Sequence, residues 1–210
     1  MSTYGAKHVM FAPFAAEDPE PANSLPNYAE AFELGELNKV TDAPVFNEAK
    51  AYGNNALGRY VSEFKENPID VEILDMTVEH ASVVTGAKID TEGDKTTHFN
   101  AEDNAPYGGL AFYINELLAN NVKKYRGIFY PKAKAVMQGE TYTTKGDSIT
   151  LGNEKLRFMG AAAKNGDWKL KSDRFDTEAE AQAWVEAQLA PKAEAASTNQ
   201  GDPDANGATS

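Results

Sequence analysis

Ile69-Asp70-Val71-Glu72-Ile73 alternates strictly between β-branched aliphatic and carboxylate side chains. Successive side chains of a strand point to opposite faces, so the pattern turns Ile69, Val71 and Ile73 to a core and Asp70 and Glu72 away from it. The stretch predicts a half-buried strand. The period then changes. Asp75 and Thr77 are N-cap residue types, Val78 to Thr85 predicts a two-turn helix, and Gly86 stands where a left-handed residue ends one.

Downstream, the chain is β-rich. Leu110-Ala111-Phe112-Tyr113-Ile114 and Lys123 to Tyr130 flank Ala119-Asn120-Asn121, whose asparagines tolerate positive φ, which predicts a long hairpin. Its return strand is basic, with Lys123, Lys124 and Arg126 followed by Lys132 and Lys134. Short strands are expected over Ser148–Leu151 and Leu156–Ala163. Lys164-Asn165-Gly166-Asp167 then carries an Asn-Gly pair, a hairpin signal leading into Trp168-Lys169-Leu170. Thr177-Glu178-Ala179-Glu180 has the form of a capping box, and Ala181, Trp184, Val185 and Leu189 follow at helical spacing until Pro191.

Upstream, residues 4–14 read as a first strand, and Asp18-Pro19-Glu20-Pro21 and Pro26 impose an irregular connection after it. Six acidic residues and no basic one lie between Glu17 and Glu36. From Asn38 to Arg59 the breakers Pro44, Gly53, Asn54, Asn55 and Gly58 predict a long loop, which nevertheless carries Val45, Phe46, Tyr52 and Leu57. Water is a poor medium for those four, so they are expected to order against a neighbouring molecule. Residues 1–190 are expected to form one mainly β domain, a sandwich or barrel-like sheet with a short internal helix and a C-terminal one. Residues 191–210 hold no large apolar side chain and are expected to be a flexible tail.

The 210 residues are 41% hydrophobic and 25% charged, enough for a packed core. A net charge of −12, from 32 acidic and 20 basic residues, opposes wrapping a nucleic acid or lying on an anionic membrane. The absence of cysteine removes disulfides, thiolate metal sites and a cysteine nucleophile. His8, His80 and His98 stand far apart and make no metal-ligand pair. No nucleophile-elbow, phosphate-loop or dinucleotide pattern occurs. Asp202-Pro203-Asp204-Ala205-Asn206-Gly207 copies the first half of a calcium loop but lacks the glutamate that would complete it. Asp70 with Glu72, or Glu102 with Asp103, has the residue types of a glycosidase carboxyl pair, yet nothing in the sequence marks a cleft around either. The chain is therefore expected to be neither an enzyme nor a cofactor carrier, and no apolar run suits a signal peptide or a membrane span.

Several segments in order are similar to one known family. They are Val71-Glu72-Ile73-Leu74-Asp75-Met76-Thr77, Thr85-Gly86-Ala87, Tyr107-Gly108-Gly109-Leu110-Ala111-Phe112 and Lys124-Tyr125-Arg126-Gly127-Ile128-Phe129-Tyr130-Pro131-Lys132-Ala133-Lys134. Tyr142-Thr143-Thr144-Lys145-Gly146-Asp147-Ser148-Ile149, Gly166-Asp167-Trp168-Lys169 and Phe175-Asp176-Thr177-Glu178-Ala179-Glu180-Ala181 follow. Together they resemble the major tail proteins of long-tailed, non-contractile bacteriophages, over about residues 60–190. The resemblance implies a tail tube protein whose copies close into hexameric rings that stack into the conduit for the genome. Its implied partners are other copies of itself and the tail terminator, tape measure and distal tail proteins, with DNA passing through unbound; its implied place is the virion tail, after synthesis in the bacterial cytoplasm. Under that reading Val45, Phe46, Tyr52 and Leu57 make inter-ring contacts, Asp70 and Glu72 line the lumen, and Lys123, Lys124 and Arg126 form a ring contact. The strand pattern alone also suits a monomeric β-sandwich binding module for carbohydrate or adhesion.

Overall fold

A computed structural model describes residues 2–53, 56–90, 93, 96–139 and 153–191. The strand expected over Ser148–Leu151, the Thr144–Asp147 step and the tail 192–210 lie outside these. The described strands are β1 (Ser2–Pro13), β2 (Phe32–Gly35), β3 (Leu37–Asp42), β4 (Val45–Gly53), β5 (Ala56–Ile73), β6 (Lys88–Ile89), β7 (Thr97–His98), β8 (Tyr107–Leu117), β9 (Lys123–Val136), β10 (Glu154–Gly160) and β11 (Leu170–Lys171). The helices are α1 (Val78–Thr85) and α2 (Glu178–Leu189). The fold is mainly β, as the sequence predicts.

Both helices begin and end where their sequence signals stand. Thr77 Oγ1 accepts from the His80 N–H at 3.2 Å, and Gly86 closes α1 at φ 78°. A side chain there would also strike the Asn104 carbonyl, 2.7 Å from a Cβ position. At α2 the capping box is complete: Glu180 N–H donates to Thr177 Oγ1 at 3.3 Å, and Thr177 N–H donates to Glu180 Oε2 at 3.0 Å.

The main sheet is antiparallel and runs β2-β1-β8-β9-β10-β5-β3. Its two terminal strands, β2 and β3, are separated in the chain by Glu36 alone. A single residue cannot span an open sheet, so the sheet rolls until β3 comes against β1 and its edges meet as a barrel-like closure. Inside sit Phe11, Leu34, Ile69, Val71, Ile73, Leu110, Phe112, Tyr130 and Phe158, with Val84 of α1 among them. The predicted inward set Ile69, Val71 and Ile73 is fully buried.

The outer wall is treated in two ways. Over β1, β8 and β9, α2 lays Ala181, Val185 and Leu189 onto Ala111, Tyr113 and Phe129. Both faces of those strands are therefore covered, which is why Leu110 to Ile114 is continuously apolar while the uncovered 69–73 stretch alternates. Close docking requires glycine under the helix: a Cβ on Gly127 would lie 2.1 Å from Trp184 Cε3.

The hairpin of β8 and β9 forms with Asn121 at φ 60°. The Asn-Gly signal at 165–166 gives a turn, with Gly166 at φ 92°, but not the expected hairpin. β10 and β11 both pair with β9, on the edge that β8 leaves free. Residues 161–169 on one side face only 130–132 on the other, so the turn is an excursion that loops out and rejoins the same edge.

The largest departure from expectation is residues 38–59. They form the end of β3 and then a long hairpin of β4 and β5, not a loop. The breakers among the described residues fall at its ends and irregularities. Pro44 lies in the gap between β3 and β4, and Gly58 is the extra residue of a bulge where Tyr52 pairs with Leu57 and Ala51 with Arg59.

Candidate functional site: the β4–β5 arm

β10 covers β5 only from Asn67 to Ile73, and β3 only from Ile69 to Ile73. Residues 56–66 therefore run past the barrel with β4 as their only strand partner among the described residues, an arm of about 35 Å at strand rise. A two-stranded ribbon is marginal by itself, and aromatic side chains hold this one at its root. Phe46 meets Phe64 edge-on at 5.9 Å, and Phe64 stacks on Trp168 at 4.6 Å with a 12° interplanar angle. Further out, the Tyr60 hydroxyl donates to Glu48 Oε1 at 2.7 Å, and Lys50 Nζ lies 5.6 Å from the Tyr60 ring centre.

Beyond those contacts the arm offers apolar surface to water. Tyr52 is 72% exposed, Val61 52%, Tyr60 50% and Phe46 42%, and Val45 is exposed as well. Val45, Phe46 and Tyr52, singled out by sequence, thus share one projecting element. Leu57 joins them by backbone register, while its side chain lies outside the described residues. Tyr60 and Val61 belong with them and were not singled out by sequence; their signal was the adjacent aromatic and β-branched pair, followed by Phe64, upstream of Ile69.

The other predicted residues lie apart from the arm. Asp70 and Glu72 are on the wall that α2 leaves uncovered, and their surroundings are charge-balanced. Asp70 accepts two bonds from Arg157, from Nε at 2.6 Å and Nη2 at 3.0 Å, which hold its carboxyl below the ordinary range. Glu72 pairs in register with Lys39 and Lys155. On β9, Lys124 bonds Asp176, while Arg126 lies 3.4 Å from Glu116. Glu116 is buried and is also met by Arg174 Nε at 2.6 Å. Lys123 is exposed. The acidic N-terminal segment and the basic strand touch within one molecule through Lys132 Nζ and Glu20 Oε2 at 2.8 Å.

A hollow of about 330 Å³ opens between β2 and α1, lined by Glu33, Glu36, Asp75, Thr77 and His80. Among the described residues, no three His, Asp or Glu side chains are grouped to hold a metal ion, and no helix is long and apolar enough to cross a membrane. Compared with known proteins, the chain matches no protein-family model and no curated relative.

Proposed function

We propose that this chain is a structural subunit of a phage tail tube, its copies closing into hexameric rings that stack along the path of the genome. The arm carries the proposal: a projecting hairpin that leaves Tyr52, Tyr60, Val61 and Phe46 largely toward solvent has, among the described residues, no strand partner beyond its own two strands and is suited to burial on another copy. The collinear motifs that resemble major tail proteins support it, as does a net charge of −12, which disfavours adhesion of a passing DNA backbone. Contacts that repeat head-to-tail close into a ring or extend as a filament, and a stacked tube uses both. In that setting the tail terminator, tape measure and distal tail proteins meet the tube at its ends and lumen.

The test is electron microscopy of the purified chain and of a variant in which residues 48–62 are replaced by Asn-Gly. Asn47 and Glu63 are cross-strand partners, so a two-residue turn joins them while Phe46, Phe64 and Trp168 stay in place. Rings and tubes from the natural chain, and folded monomers from the variant, are expected. Dispersed monomers from the natural chain would instead assign the exposed tyrosines to a monomeric binding module.

A further inference from the structure

At the barrel mouth where the arm begins, four side chains converge that the tube reading does not use. Asp42 lies opposite Ile69 in the β3–β5 register, and Asn67 is two residues before Ile69, so both share the inward face as diagonal neighbours. Asn67 is completely buried, and among the described residues neither its Oδ1 nor its Nδ2 has a hydrogen-bond partner. Leaving both ends of a buried carboxamide unpaired is costly and rare. Across from it stands Gly160, so no opposing side chain fills that position. Lys169 arrives from the excursion between β10 and β11; its side chain is 14% exposed, its Nζ bonds Asp42 Oδ2, and that Nζ lies 5.2 Å from the centre of the Tyr130 ring. Tyr130 is 1% exposed and its hydroxyl faces both Asp42 and Asn67.

A carboxamide buried from water and a largely covered amine, beside a carboxylate that is 29% exposed, are the components of a spontaneous amide exchange. We propose that Lys169 and Asn67 are joined by an intramolecular isopeptide bond, with Asp42 as the proton carrier. Burial alone would raise the Asp42 pKa, but the Lys169 ammonium outweighs it and keeps the carboxylate ionised, the form that accepts a proton. Asp42 takes one proton from the Lys169 ammonium, and the neutral Nζ adds to Asn67 Cγ, forming the Nζ–Cγ bond. The Tyr130 hydroxyl is directed at the Asp42 carboxylate and holds it beside the amide. The proton on Asp42 passes to Nδ2, the Cγ–Nδ2 bond breaks, and ammonia departs. The second Nζ proton leaves through Asp42 with the ammonia as ammonium. Atoms and charge balance with no oxidant or further reactant. Fixed proximity supplies what an amine and an amide lack in free solution. The product ties the excursion 161–169 covalently to β5 at the root of the arm, whether or not the chain assembles.

The test is the intact mass of the purified full-length chain, followed by peptide mapping. The expected result is a mass lower than the sequence requires by one ammonia, with a branched peptide joining residues 67 and 169. Lys169→Arg, Asn67→Ala and Asp42→Asn should each restore the full mass for their sequence, a reading that denatured protein gives equally well. Full mass in the natural chain would overturn the proposal. Loss of one water in place of ammonia would also overturn it, because it would mark Asp42 and not Asn67 as the acyl partner.

Discussion

Gly127→Ala tests the docking of α2 most directly. The new methyl would sit 2.1 Å from Trp184 Cε3 and 2.4 Å from Cζ3, where carbon contacts settle at about 3.5–4.0 Å. The indole must withdraw by about 1.5 Å, and it is a rigid ring on a helix anchored by Ala181, Val185 and Leu189, all fully buried. Overpacking of this kind costs about 1–3 kcal/mol, and the closeness here places the loss near 3. Trp184→Ala removes a half-buried indole, so its loss is about 2–3 kcal/mol, below the range for a wholly buried ring. In the double variant the methyl has no ring to strike, so it should be no less stable than Trp184→Ala alone. The coupling is then about 3 kcal/mol, far outside the additivity expected of independent sites. Urea unfolding of the four proteins reads it, and the melting temperature of Gly127→Ala should fall by about 6–12 °C. Losses that simply add, or a Gly127→Ala protein as stable as its parent, would refute the close approach.

Glu116→Ala leaves Arg126 and Arg174 beside a buried vacancy and should lower unfolding free energy by about 3 kcal/mol, as measured by denaturant titration. Thr177→Ala removes the acceptor of the α2 cap and should cost about 1 kcal/mol, with faster amide exchange at Glu180. Asp70 titrates below its ordinary value when folded, so its ion pair contributes above the unfolded pKa of about 4 and is lost as pH falls through the folded one. The pair is solvent-screened, so Asp70→Asn should be less stable than its parent by at most about 1 kcal/mol at pH 7, and the difference should vanish in acid; a gap that widens on acidification would contradict the pairing.

What could be read from sequence was local. The capping residues Thr77 and Thr177, Gly86 at positive φ and the alternation of Ile69, Val71 and Ile73 each depend on a few neighbouring residues. The mainly β class and the β8–β9 hairpin were legible for the same reason, since the partners are adjacent in the chain. Pairings across long separations were not. Nothing around Arg157 specifies that its strand lies beside Asp70, or that Trp168 caps the root of the arm. Residues 38–59 carried breakers enough for a loop, and only pairing of 45–53 with 56–66 turned those breakers into a gap and a bulge. Likewise the basic residues of β9 looked free until folding brought Glu20, Glu116 and Asp176 to them. Local sequence sets which backbone conformations are inexpensive. Which strands meet, and which charges and apolar groups are left facing water, follows from closing the whole sheet on one core, a property of all its strands together.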